Sequence, residues 1–120
     1  MIKDYPVTIV GLVGTMTIKD KNGVARPAKE GGAMDAGEVL VAGGKSACSV
    51  KADSVTIARI ERPTPSGKTR VVTHHPLAPR VAGSPNKPKA TAVKVGNRLI
   101  IQSQRDTIKE IRSYNLTVQL

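Results

Sequence analysis

Residues 38–50 read Glu-Val-Leu-Val-Ala-Gly-Gly-Lys-Ser-Ala-Cys-Ser-Val, an apolar strand-like run that enters a Gly43-Gly-Lys-Ser46 step. A Gly-Gly-Lys-Ser after a strand suggests a phosphate-binding loop, whose backbone N–H groups curl around phosphates and whose next residues open a helix. Such a loop requires a glycine six positions before its lysine. Val39 stands there, and Gly37 lies two residues too early. After Ser46 the chain continues Ala-Cys-Ser-Val-Lys-Ala-Asp-Ser-Val-Thr-Ile57, rich in Ser, Val and Thr and interrupted by Asp53-Ser54. That composition belongs to two strands and a turn. Gly43-Gly44 is therefore read as a hairpin turn between a strand at 39–42 and another at 46–51. The stretch announces β-structure, not an NTPase.

Composition extends the same reading. The 120 residues make one domain, 1–120, with a small core of its own. There is no Trp, no Phe, and only Tyr5 and Tyr114, so Val, Ile, Leu, Ala and Thr must fill that core, a bias toward strands. No basic stretch followed by an apolar core opens the chain, and no run of 18 apolar residues occurs. The expectation is a protein neither secreted by the usual route nor embedded in a membrane. A single cysteine, Cys48, excludes an internal disulfide framework and is expected as a buried thiol in a strand.

The pattern beyond residues 38–50 is a succession of short strands. Residues 7–19 form a β-prone run containing Gly11 and Gly14, which suggest bends or bulges where a strand passes between sheets or turns a barrel corner. Asp20-Lys-Asn-Gly23 is a hairpin signal, with Asn22-Gly23 suited to the positive φ angles of a type I′ turn. Further strands are expected at 55–61, 69–74, 91–95, 98–103 and 113–120, with turns at 63–67 and at Gly96-Asn97. Residues 105–111 are read as one or two helical turns, with Ile108 and Ile111 on one face. Pro76, Pro79, Pro85 and Pro88 interrupt residues 75–90 without apolar periodicity, which marks a Pro-rich basic arm or loop. The fold class expected is all-β: a small antiparallel sandwich or barrel of about eight short strands, with at most one short helix.

Gly14, Glu30-Gly31, Ala36-Gly-Glu-Val-Leu40 and Gly43-Gly-Lys-Ser46 follow one another in a strand, turn, strand order. In this, residues 7–57 resemble the small β-domains of FecR-type sensors and the retention modules of large bacterial adhesins. The resemblance covers under half the chain, rests mainly on turn chemistry, and implies a β-domain for the first half. The basic second half has no counterpart in it.

Few residues suggest chemistry. His74-His75 are adjacent on a strand and so point to opposite faces, which does not suit joint chelation of a metal. Cys48 paired with one of them as a nucleophile would lack a third, orienting group. Asp4, Asp20, Glu30, Asp35, Glu38 and Asp53 mostly sit at turns, where carboxylates satisfy backbone amides. Asn115-Leu-Thr117 fits a glycosylation sequon, which a chain without a signal segment seldom uses. No catalytic residue, cofactor site or metal site is expected.

Charge is the informative quantity. The chain carries 19 Lys+Arg and 9 Asp+Glu, a net +10. Residues 59–98 alone hold nine cations (Arg59, Arg62, Lys68, Arg70, Arg80, Lys87, Lys89, Lys94 and Arg98) against Glu61, a net +8. Such a block attracts an anionic surface, and these nine are the expected contacts with it. The missing aromatics argue against base stacking, so a nucleic-acid partner would be held by its phosphates, independently of sequence. A protein partner would be an acidic neighbour crossed by an extended basic segment. The leading reading is a non-enzymatic structural protein of a large assembly, homo-oligomeric or capsid-bound. A bacteriophage virion component, a capsid-decorating or head–tail protein, is the kind of assembly expected. The alternative is a sequence-independent nucleic-acid-binding protein in the cytoplasm.

Overall fold

The structure is a computed structural model that describes residues 1–74, 76–80 and 89–120, with Lys89 described by its backbone alone. It contains ten strands: β1 Ile2–Tyr5, β2 Val7–Lys19, β3 Ala25–Pro27, β4 Ala33–Met34, β5 Val39–Ala52, β6 Val55–Arg62, β7 Arg70–Thr73, β8 Lys89–Val95, β9 Arg98–Asp106 and β10 Ile111–Gln119. The all-β expectation holds, and there is no helix among the described residues. The details differ. Among the described residues there are ten strands rather than about eight, two of them long, and all belong to one mixed sheet that does not close.

Strand β5 organises this sheet. One of its edges pairs antiparallel with β2 along most of its length. On the other edge, Val39–Val41 pair parallel with Thr117–Gln119 of β10, while the portion beyond Gly44 pairs antiparallel with β6. At Gly43-Gly44 the strand therefore crosses from one layer to the next. The predicted hairpin turn is absent and β5 runs through it, because the two glycines bend the strand instead of reversing it. One layer holds β3, β4, β2, β5, β6 and β7. The other holds β5, β10, β9 and β8, with β1 lying parallel on β10. A strand from near each end of the chain thus lies side by side, which makes the sheet mixed rather than antiparallel.

Alternation fills the space between the layers. Leu40, Ala42, Ser46, Cys48, Val50 and Ala52 of β5 are all buried, every second residue facing inward. In β2 the inward positions change parity, from Val7 and Ile9 to Met16 and Ile18. A bulge accounts for it: the β2–β5 register shifts between Val10 and Val13 and again between Val13 and Thr15. Gly11 and Gly14 sit at positive φ within this bulge. A Cβ on Gly14 would overlap the Lys45 carbonyl oxygen and lie 3.0 Å from Ser46 Cα, so the site admits no other residue without movement. The inference of bends from these glycines is correct. Ile60, Leu77, Ile101, Leu116 and Val118 complete one core, each such buried side chain contributing about 1.5–3 kcal/mol of transfer free energy.

Turn chemistry is redistributed relative to the sequence reading. Asp53 and Ser54 both have positive φ and join Ala52 directly to Val55, which is the type I′ arrangement. At 20–24 only Gly23 has positive φ, and its N–H donates to the Asp20 carbonyl at 3.0 Å. This is a type I turn followed by a glycine bulge, stabilised by the Asp20 carboxylate, which accepts from the N–H groups of Asn22 and Val24. The helical turns expected at 105–111 are also absent. β9 runs through Asp106, Thr107 and Glu110 close a hairpin, and Ile108 is exposed at its tip. Cross-strand pairing of Asp106 with Ile111 overrides the local spacing of the isoleucines.

Residues 76–80 carry no strand, yet they are packed on the sheet. Leu77 is fully buried, and its N–H donates to the Ser103 hydroxyl at 3.3 Å. The Arg80 N–H donates to the Asp106 carbonyl at 3.2 Å, so residues 76–80 are docked against β9. At the far end, Lys89 and Ala90 already belong to β8. One leucine among prolines has no periodicity, and this is why the pattern concealed its role. His75, Pro85, Lys87 and Pro88 lie outside the described residues.

Candidate interaction surface

Edge accounting locates the surface. Among the described residues, β7 pairs only with β6, and β8 only with β9. The two unpaired edges border a cleft of about 100 Å³, lined by Ile57, Thr73, His74, Ala90, Ala92 and Ile101 among others. The sheet stays open here because the inward residues of β8 are small. Ala90 and Ala92 stand opposite Ser103 and Ile101 and do not fill the space above them, while Lys94, on the same face opposite Leu99, is exposed.

Strand β8 differs from β5, β9 and β10 of the second layer. Residues 90–95 are all exposed. On its outer face Val93 and Val95 are more than half exposed (53% and 57%), and Ile100, directly across from Val93, joins them in an apolar strip. Lys94 and Arg98 are exposed within the same hairpin. An exposed apolar edge with unpaired main-chain groups is a template for pairing with another chain.

The seven cations of the basic block whose side chains are described have different surroundings. Arg62 is spent internally: its guanidinium donates to the carbonyls of Ala42, Pro65 and Gly67, holding the 63–67 turn against β5. Arg59 donates to Glu61 at 2.8 Å and to Ser49, and Arg70 lies 3.9 Å from the other Glu61 oxygen. Arg80 is engaged by Asp53. Lys68 is exposed beside the 63–67 turn, near Gln119 and Leu120. Lys94 and Arg98 lie in the β8–β9 hairpin. Lys87 and the side chain of Lys89 lie outside what is described.

A second cluster escaped the sequence reading. The Asp53 carboxylate, only 13% exposed, meets Arg80 Nε at 2.9 Å, is paired with Arg105, and lies 3.9 Å from Arg112. Hydrogen bonding by Arg80 holds its carboxyl below the usual range against the opposing effect of burial, helped by the positive charges of Arg105 and Arg112. Arg112 in turn covers the Tyr5 ring, 4.5 Å from its centroid, and Tyr5 donates its hydroxyl proton to Glu110. The Asp53-Ser54 turn is thereby tied to β9, β10 and the docked 76–80 segment. Its partners stand 27 and 52 residues away, so no local spacing could have pointed to them.

The remaining candidates resolve into structural roles. Cys48 is fully buried, its Sγ 3.5 Å from Met16 Sδ, and burial pushes its thiol up to about 11. Glu30 accepts from the N–H groups of Gly11 and Leu12, clamping the β2 bulge, and these bonds lower its carboxyl. Glu38 accepts from the Asp35 N–H at 2.7 Å and from both guanidinium nitrogens of Arg26. The Arg26 bonds are the main reason its carboxyl falls to about 2. Turn carboxylates satisfying backbone amides is thus correct for Asp20, Glu30 and Glu38, whereas Asp53 serves arginines. His74 borders the open cleft, and no group of three metal-ligating side chains occurs among the described residues.

No protein-family model matches the chain, and no curated protein or solved structure is significantly similar to it.

Proposed function

We propose that this chain is a non-enzymatic structural protein of a large assembly, of the bacteriophage capsid-decorating or head–tail kind, which holds neighbouring subunits through its basic second half. The observation that supports this reading is the β8–β9 hairpin, exposed on both faces of β8, unpaired along one edge among the described residues and carrying an apolar strip beside the exposed Lys94 and Arg98. In a free protein such an edge invites aggregation, whereas in an assembly it is covered. A protein neighbour is favoured over nucleic acid because Arg59, Arg62, Arg70 and Arg80 are engaged by acids or carbonyls. A sequence-independent phosphate track requires many free cations.

The test is sedimentation of the particle from its natural source, with the chain counted by quantitative mass spectrometry. The proposal expects stoichiometric copies in the fast-sedimenting fraction. It also expects the Val93→Glu/Val95→Glu variant to fold normally but remain outside the particle. Recovery of the wild type only as a free monomer overturns the proposal. So does tight duplex binding at physiological salt with a log–log salt slope of about −4 to −5, the signature of four to six phosphate contacts.

A further inference from the structure

We infer that the open edge of β8 accepts an extended strand from an acidic protein partner, which becomes the next strand of the sheet and sends alternate side chains into the cleft beside β7. This rests on the assembly reading above and names the chemistry of the neighbour that reading requires.

Three observations converge on a strand. Among the described residues the edge is unpaired over the length of β8, so an added strand gains main-chain hydrogen bonds without any rearrangement of β9. The adjoining cleft, about 100 Å³, is too small for a typical small-molecule site of about 300–1,000 Å³ yet large enough for a side chain. Ile57, Ile101, Ala90 and Ala92 line it on the apolar side and Thr73, His74, Thr91 and Ser103 on the polar side, so its volume limits the entering side chains to small ones and its isoleucines and alanines favour apolar contact. On the opposite face the exposed Val93 and Val95 would lie beside the added strand and favour β-branched neighbours.

Charge selects the partner. From Lys89 to Gln104 the sequence carries Lys89, Lys94 and Arg98 and not one acid. A second copy of this chain would bring a further +10 to a surface that already repels it. A partner strand with a carboxylate opposite Lys94 meets an exposed cation instead. The occupant is thus an extended segment with small apolar residues opposite Ala90 and Ala92, an acidic residue opposite Lys94 on that same face, and β-branched residues at the intervening positions.

The experiment uses the full chain and three synthetic probes of about nine residues: a peptide alternating Val with Ala in which one Glu replaces the Ala that stands opposite Lys94, its counterpart with Lys in place of that Glu, and the Glu peptide with a central proline. Hydrogen exchange of the amides at 90–95 is followed with each. The Glu peptide is expected to slow exchange there, in a salt-sensitive manner, while the other two have little effect. Lys94→Glu, at an exposed position, should weaken the Glu peptide roughly tenfold and strengthen the Lys peptide. Absence of protection at millimolar Glu peptide overturns the inference, as does equal protection by the Lys peptide. A dimer of the chain paired through β8 overturns it too, as does stronger protection of the same amides by duplex DNA. If the chain is stoichiometric in its particle yet the Glu peptide fails, this inference falls and the assembly reading stands. If the peptide protects β8 but the chain sediments alone, the reverse holds.

Discussion

Strands β5 and β8 obey the same alternation and end in opposite circumstances. β5 is paired on both edges and buries every second side chain. β8 is paired on one edge, and none of its described side chains is buried. Both contain small residues. In β5, Gly43 and Gly44 are small so that the strand can bend from one layer into the other. In β8, Ala90 and Ala92 are small where the layers part. Small residues thus close the structure at one place and leave it open at another, and the pairing of their edges tells the two uses apart.

The comparison breaks most decisively at Gly14, which packs on the backbone of β5. Gly14→Val places a β-branched residue at φ +76° against the Lys45 carbonyl. It should cost at least about 3 kcal/mol, read as loss of a cooperative unfolding transition. Next comes the tie between the Asp53 turn and the second layer. Asp53→Asn keeps a residue that tolerates positive φ but removes the charge facing Arg80, Arg105 and Arg112. It should cost about 2 kcal/mol by urea unfolding, below the value for a fully buried pair because Arg80 is half exposed. Arg80→Ala alone should cost under about 1 kcal/mol.

Acid should act on the β5 end before it acts on β8. The Glu38 carboxyl is lowered from 4.5 to about 2 in the folded chain. The unfolded state therefore takes up its proton first, and the stability that the pair contributes is present above pH ~4.5 and lost as pH falls toward ~2. Screening at the half-exposed Arg26 reduces the effect to about 1–2 kcal/mol. Arg26→Gln should flatten the stability–pH curve in that window. The smallest effect belongs to β8: Val95→Ala should change stability by no more than about 0.5 kcal/mol, since the side chain is mostly in solvent. A large loss there would show that β8 is held by the fold itself and not reserved for a neighbour.

What the sequence revealed tracks what is local. Alternation in 46–51 and 55–61, the glycines of β2 and the buried Cys48 could all be read from neighbours within a few residues. The Gly43-Gly44 hairpin could not be corrected that way, because bending and reversing a strand use the same residue type. The difference lies in β10, whose Thr117–Gln119 arrive to pair with Val39–Val41. Likewise the basic block counted charges along the chain, but whether a cation is free depends on carbonyls and acids brought in by folding. Arg62 and Arg80 look like Lys94 in sequence, and only the fold distinguishes them.

The position of β10 carries a consequence for synthesis. It lies between β9 on one edge and both β1 and β5 on the other, and every other strand precedes it in the chain. While the nascent polypeptide is still emerging from the ribosome, β1 has no strand to lie on, and the first half of β5 keeps one edge bare. Long-range pairing of this kind is slow and leaves strand edges exposed meanwhile. The final stretch thus acts as a keystone. Folding of both layers waits until β10 has emerged, and until then the edges of β1 and β5 that it covers stay exposed.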